Sequence, residues 1–158
     1  MTEGASLPGE FALAIAARVQ NSADIHDPPD VFLANFHALA PHEQHLLATH
    51  WCDYEVRNGG FLQFFENSTG VLAPEAVCGF RALGLPEVAA KIEDAMNRLA
   101  SSFPRNRALR RAKIRELRAL LGGTTKLFDE YDDWYYTFLL HGDIFEHAAD
   151  AYARAHVV

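Results

Sequence analysis

Residues 55–70 read Glu55-Val56-Arg57-Asn58-Gly59-Gly60-Phe61-Leu62-Gln63-Phe64-Phe65-Glu66-Asn67-Ser68-Thr69-Gly70. The stretch joins a helix end to a Gly-Gly reversal, a one- or two-turn aromatic helix and a polar cap. Glycine can take the left-handed conformation that ends a helix. Phe61, Phe64 and Phe65 then fall at i, i+3 and i+4, which puts them on one apolar face. Gln63 and Asn67 are also four apart. That spacing predicts amides that satisfy backbone groups freed by the two helix breaks. Asn67 to Gly70 is a run of turn formers. The segment reads as a polar-stapled corner under a helical core, with a ligand site as the competing reading.

Outward from this corner, Pro and Gly recur where helices start and stop. Upstream, helices are predicted over 10–21, from Asp27 as N-cap to about Ala38, and from Pro41 to Asn58. Downstream they are predicted over 61–66, 74–83, 86–100, 104–121, 126–140 and 143–155. Alternating β-branched runs are absent, so no sheet is expected. The fold class is all-α: a compact single-domain bundle of about eight or nine short helices. Residues 1–29 read as an N-terminal helical extension of the domain formed by 30–158.

Composition supports a real core without staples. Apolar residues make up 49% of the 158, and a chain of this size buries roughly 70% of its unfolded surface. The two cysteines, Cys52 and Cys78, lack a CxxC spacing. That argues against a zinc ribbon, a redox motif or a secreted disulfide scaffold. Both have apolar or aromatic neighbours and read as small buried residues. The N-terminus lacks a positive n-region, and no run approaches the roughly 18 apolar residues of a membrane span. A cytoplasmic location is expected. A net charge of −7 disfavours nucleic acid and anionic membrane as direct partners.

Catalytic patterns are largely missing. His42-Glu43-Gln44-His45 is one residue short of the HExxH zinc motif, and His50 lies five further on. Two imidazoles three apart can meet on a helix, so a small metal-dependent hydrolase is one alternative, but spacing fixes no third ligand. Neither cysteine has a neighbourhood that depresses a thiol pKa. GxSxG, phosphate-loop and dinucleotide patterns are absent. No catalytic residue, metal ligand or cofactor is assigned. The paired acids Asp129-Glu130 and Asp132-Asp133 could do acid–base work, though a charge run is usually a solvated face.

Asn58-Gly59-Gly60-Phe61, then Gln63 and Phe65, then Asn67-Ser68-Thr69-Gly70, resembles the signature of a bacterial domain-of-unknown-function family named after a DNA-mimic protein. Ala82-Leu83-Gly84 resembles that family's next helix end. Leu127-Phe128-Asp129 through Tyr135-Tyr136 resembles its acidic-aromatic penultimate helix. The likeness covers roughly residues 30–155, and its first string is the specific part. It implies an all-helical fold, a capacity for homodimers, and no catalytic residues. For the member that gave the name, it implies an acidic surface occupying the DNA-binding face of a transcription regulator. The partner-binding candidates are then Asp129, Glu130, Asp132 and Asp133.

Charge is segregated along the chain. Residues 1–97 carry 13 acids and 4 bases; residues 98–126 carry 1 acid and 9 bases; residues 127–158 carry 7 acids and 1 base. The acidic segments suit a non-enzymatic binding protein that meets a basic partner, such as a DNA-binding protein. An immunity or accessory protein that binds a toxin or enzyme fits the same charges. The basic segment departs from a simple mimic. Arg107, Arg111, Arg115 and Arg118 are spaced 4, 4 and 3, with Leu109, Ala112, Leu117, Leu120 and Leu121 on another face. This stripe is a solvated face, pairs with Asp129–Asp133 in the same chain or a second copy, or meets nucleic acid.

Overall fold

The computed structural model describes residues 6–139 and 141–156. Among them are eight α-helices and no strand: α1 (Glu10–Val19), α2 (Pro29–His37), α3 (Pro41–Glu66), α4 (Ala73–Ala82), α5 (Pro86–Leu99), α6 (Arg107–Leu120), α7 (Asp129–Leu139) and α8 (Ile144–His156). Short 3₁₀ turns at Gln20–Ser22 and Ser68–Leu72 link them. The all-α expectation stands.

α3 is the axis. α1 and α8 pack together on one side of it, and α4 packs along it and carries α5. α6 and α7 pack at its broken end and against α5. The tight α3–α4 approach depends on Gly79, where an added Cβ would lie 2.7 Å from Thr49 Cγ2 and 2.9 Å from His45 O. The core is aromatic: Phe32, Phe36, Phe61, Phe64, Phe65, Phe80, Phe128 and Tyr135 are almost wholly buried. Burying a Phe side chain stabilises by about 1.5–3 kcal/mol, so these rings anchor the bundle.

Several boundaries differ from expectation. α2 starts at Pro29, and Pro28 rather than Asp27 is its N-cap. A residue before proline is held out of the helical region, and Pro28 accordingly has ψ 145°. α6 starts after Pro104, because Asn106 caps it by accepting a hydrogen bond from Leu109 N at 3.1 Å. Leu140, expected to end the helix over 126–140, lies outside the described residues. The apolar residues set on one face of α6 divide, with Leu117 half-buried against the core and Leu109, Leu120 and Leu121 exposed. Leu109 is 59% and Leu120 82% exposed, whereas Arg110 and Ile114 are buried. Cys52 is buried, but Cys78 is exposed, contrary to the reading of both as buried.

Candidate functional site

The Gly-Gly reversal breaks α3 into two helical pieces. Gly59 has φ −154°, ψ 19°, and Gly60 has φ 75°, ψ −177°. Gly60 sits in the left-handed half of the map, where an L side chain is strained. A Cβ there would also overlap the Asp132 carboxylate. Asp132 Oδ1 accepts a hydrogen bond from Phe61 N at 2.8 Å, so a side chain of α7 caps the piece of α3 that restarts at Phe61. Helix N-termini have unpaired N–H groups that favour such a carboxylate.

The amides of the corner point elsewhere than expected. Gln63 Nε2 and Asn67 Nδ2 donate to Glu55 Oε2 at 2.7 and 3.0 Å, and Thr69 Oγ1 donates to Glu55 Oε1 at 2.7 Å. They bind one carboxylate, not freed backbone groups. Glu55 is only 5% exposed and forms no ion pair with a described residue. Three neutral donors therefore hold this buried anion, which is how a buried charge without a counterion is made tolerable.

The freed backbone groups go to Arg110. Its Nε donates to Phe65 O at 2.8 Å and its Nη2 to Asn67 O at 2.7 Å; Nη1 reaches Pro104 O and Arg105 O. The side chain is 0% exposed. Burial, then Arg107, Arg105 and Arg111, lower its pKa to about 10, so it remains a cation at neutral pH. Gly70 leaves room for this guanidinium, since a Cβ there would stand 3.0 Å from Arg110 Nε. Asn58 and Gly59 are exposed at the outer edge of the break, and Ser68 is half-buried.

Glu55 and Arg110 are the two residues that sequence reading missed. A signal existed for Arg110: it shares a helical face with Ile114, Leu117 and Leu121 at i+4, i+7 and i+11. Glu55 carried none, because the angle at the break decides which side chains meet.

The structure divides the acidic run on α7. Asp132 is half-buried at the corner, while Asp129, Glu130 and Asp133 are exposed. Burial pushes the Asp132 carboxyl above the usual range; the Phe61 N–H opposes this, and Asp129 and Asp133 add to it. α7 is fixed to α3 by two further bonds. Tyr135 Oη donates to Asp53 Oδ1 at 2.7 Å, and Tyr136 Oη donates to Val56 O at 2.6 Å. Asp53 also takes Arg57 at 2.9 Å, and Arg57 reaches Glu146 at 2.9 Å.

The basic stripe does not pair with this run within the chain. Arg107 and Arg111 donate through Nε to Glu66 O at 2.8 and 3.2 Å, and Arg105 pairs with Glu75. None of the arginines at 107, 111, 115 and 118 forms an ion pair with Asp129, Glu130, Asp132 or Asp133.

His42 and His45 do not meet His50 in a ligand set. His45 Nδ1 lies 2.6 Å from Tyr152 Oη, and His42 stacks toward His156 at 6.3 Å between centroids. Among the described residues, no three His, Cys, Asp or Glu side chains converge as for a metal ion. Burial lifts the Cys52 thiol well above its usual value, so it is not an activated nucleophile.

Fold and corner together define a single all-helical domain built on a broken central helix, with an acidic helix capping the break. The chain belongs to the DMP19-like protein family, that is, the DNA mimic protein 19-like family, whose model matches residues 37–156. The match spans the corner and runs to the end of α8. No curated protein and no solved structure matches the chain.

Proposed function

We propose that this protein is a non-enzymatic binding protein whose acidic surface occupies the DNA-binding face of a basic protein, such as a transcription regulator. The observation that carries the reading is the state of α7. Its first turn presents Asp129 and Glu130, with Asp133 one turn on; all three are exposed, and none forms an ion pair with a described residue. Asp132, Tyr135 and Tyr136 lock the same helix to α3. Carboxylates on a rigid helix can present the charge that Lys and Arg of a DNA-binding protein meet on phosphates. Family membership supports the same reading.

Asp132 serves this surface as its anchor, and the segment Asn58–Gly70 serves as the anchor's socket. The test is capture from native host extract on the immobilised protein. The expected result is a basic DNA-binding protein that duplex DNA displaces and that moderate salt releases, since exposed charges are screened over about 8–10 Å at physiological salt. Capture that neither DNA nor salt reverses would overturn the reading.

A further inference from the structure

A second candidate site borders the first half of α3, at Leu46, His50 and Asp53, and no residue of α6 or of the Gly-Gly reversal lines it. A cleft of about 400 Å³ opens between α1, α3 and α8. Its walls are apolar, with Leu13, Leu46 and Phe145 prominent, and Leu7 and Leu13 stand 73% and 50% exposed at its rim. Its polar side is formed by His50, Asp53 and Glu146. This size and lining match small-molecule sites, which combine apolar walls with a few placed polar groups.

Charge decides what such a molecule carries. Asp53 and Glu146 share one guanidinium, Arg57, at 2.9 Å from each. Two carboxylates against one cation leave the polar side short of positive charge. Glu10 at the rim adds to the deficit. His50 makes no hydrogen bond to a described residue, and burial lowers its pKa, so its imidazole stays neutral and does not offset the deficit. Gly9 brings α1 close to Glu146: a Cβ on Gly9 would stand 3.0 Å from Glu146 Cγ.

We propose that the α1/α3/α8 cleft binds a small organic amine with an apolar body, its ammonium group lying toward the Asp53–Glu146 side and its body against Leu13, Leu46 and Phe145. Asp53 ties this site to α7 through Tyr135 Oη at 2.7 Å, but the exposed Asp129, Glu130 and Asp133 do not line it.

Benzylamine, benzyl alcohol and benzoate, titrated calorimetrically into the full chain and followed by NMR, test the site. Benzylamine saturates one site and moves the signals of Leu13, Leu46 and Phe145. Benzyl alcohol binds about tenfold more weakly, because it lacks the charge-assisted contact, and benzoate does not saturate. Glu146→Gln leaves one carboxylate for one guanidinium and brings the amine-to-alcohol ratio close to one. Leu13→Lys changes an exposed rim residue, so the fold is kept, and it abolishes amine binding. Equal binding of amine and alcohol to the parent, amine-induced shifts outside the cleft only, or full amine affinity in Leu13→Lys would overturn the proposal.

Discussion

Asp132 on α7 accepts a hydrogen bond from the backbone N–H of Phe61 on α3, at 2.8 Å and across 71 residues of chain. The bond joins the Gly-Gly break to the acidic helix, two features that lie far apart in sequence. It makes Gly60 obligatory twice over, by its positive φ and by the carboxylate that fills the space a side chain would need.

Substitutions at this contact should act on stability. Asp132→Ala loses a helix cap and should cost about 1–2 kcal/mol. Gly60→Val adds a β-branched residue to a strained conformation over a filled space and should cost about 3 kcal/mol or more. Charge reversal at the exposed Asp129, Glu130 and Asp133 should cost about 1–2 kcal/mol in all, because it sets two cations against the N-terminus of α7. Urea unfolding monitored by circular dichroism checks all three.

Glu55 holds the corner from within. Glu55→Ala should cost about 3 kcal/mol, because it strands the amides of Gln63 and Asn67 and the Thr69 hydroxyl. Gln63→Ala and Asn67→Ala should each cost about 1–3 kcal/mol. The costs should be strongly non-additive once Glu55 is gone, since the partners share one acceptor. A double-mutant cycle measures the coupling, and additive costs would show that Glu55 is not the common acceptor.

Arg110 holds the same corner from outside. Arg110→Met should destabilise by about 3–5 kcal/mol, because the carbonyls of Phe65 and Asn67 lose their donors in a buried setting. Arg110→Lys should recover little of this, since an ammonium cannot reproduce the forked geometry. Arg115→Ala, on the exposed side of α6, is the neutral control in the same melts.

Acidification should weaken the junction between α3 and α8. Burial, followed by the nearby His156 and His42, lowers the His45 pKa below its ordinary 6.5. Burial alone does so for His50. The unfolded chain then binds more protons, so this stability is complete above about pH 6.5 and is lost as pH falls below it. Asp53 and Asp132, raised by burial above the ordinary carboxylate value of 3.8, act in the opposite sense as pH falls toward that value. Urea midpoints from pH 7.5 to 5.5 should therefore fall, and His45→Gln should make the fall shallower.

Local chemistry made the helices legible. Pro41 and Pro86 open helices at the positions where a missing N–H is harmless, and Gly59-Gly60 breaks α3 where predicted. Phe61, Phe64 and Phe65 share a buried face, as their spacing required. Long-range chemistry was not legible. Local pattern put Gln63 and Asn67 on one face but could not name Glu55 as their acceptor. Asp132 looked like its neighbours Asp129 and Asp133, because only docking against Gly60 distinguishes it. Arg110 lay inside a basic run, and charge masked its place on the core face of α6.

The central claim is that the exposed carboxylates of α7 form the surface that meets a basic partner in place of DNA. The most direct measurement is the affinity of the captured partner for the parent and for the triple variant Asp129→Lys, Glu130→Lys, Asp133→Lys, with melting and molecular mass checked on both. The account predicts a variant that stays folded with normal mass and binds the partner at least about tenfold more weakly, as expected when several charges face the wrong sign. It also predicts that duplex DNA competes with the parent for the partner. Unchanged affinity in a normally folded triple variant, or a partner that holds the protein and DNA at once, would contradict it.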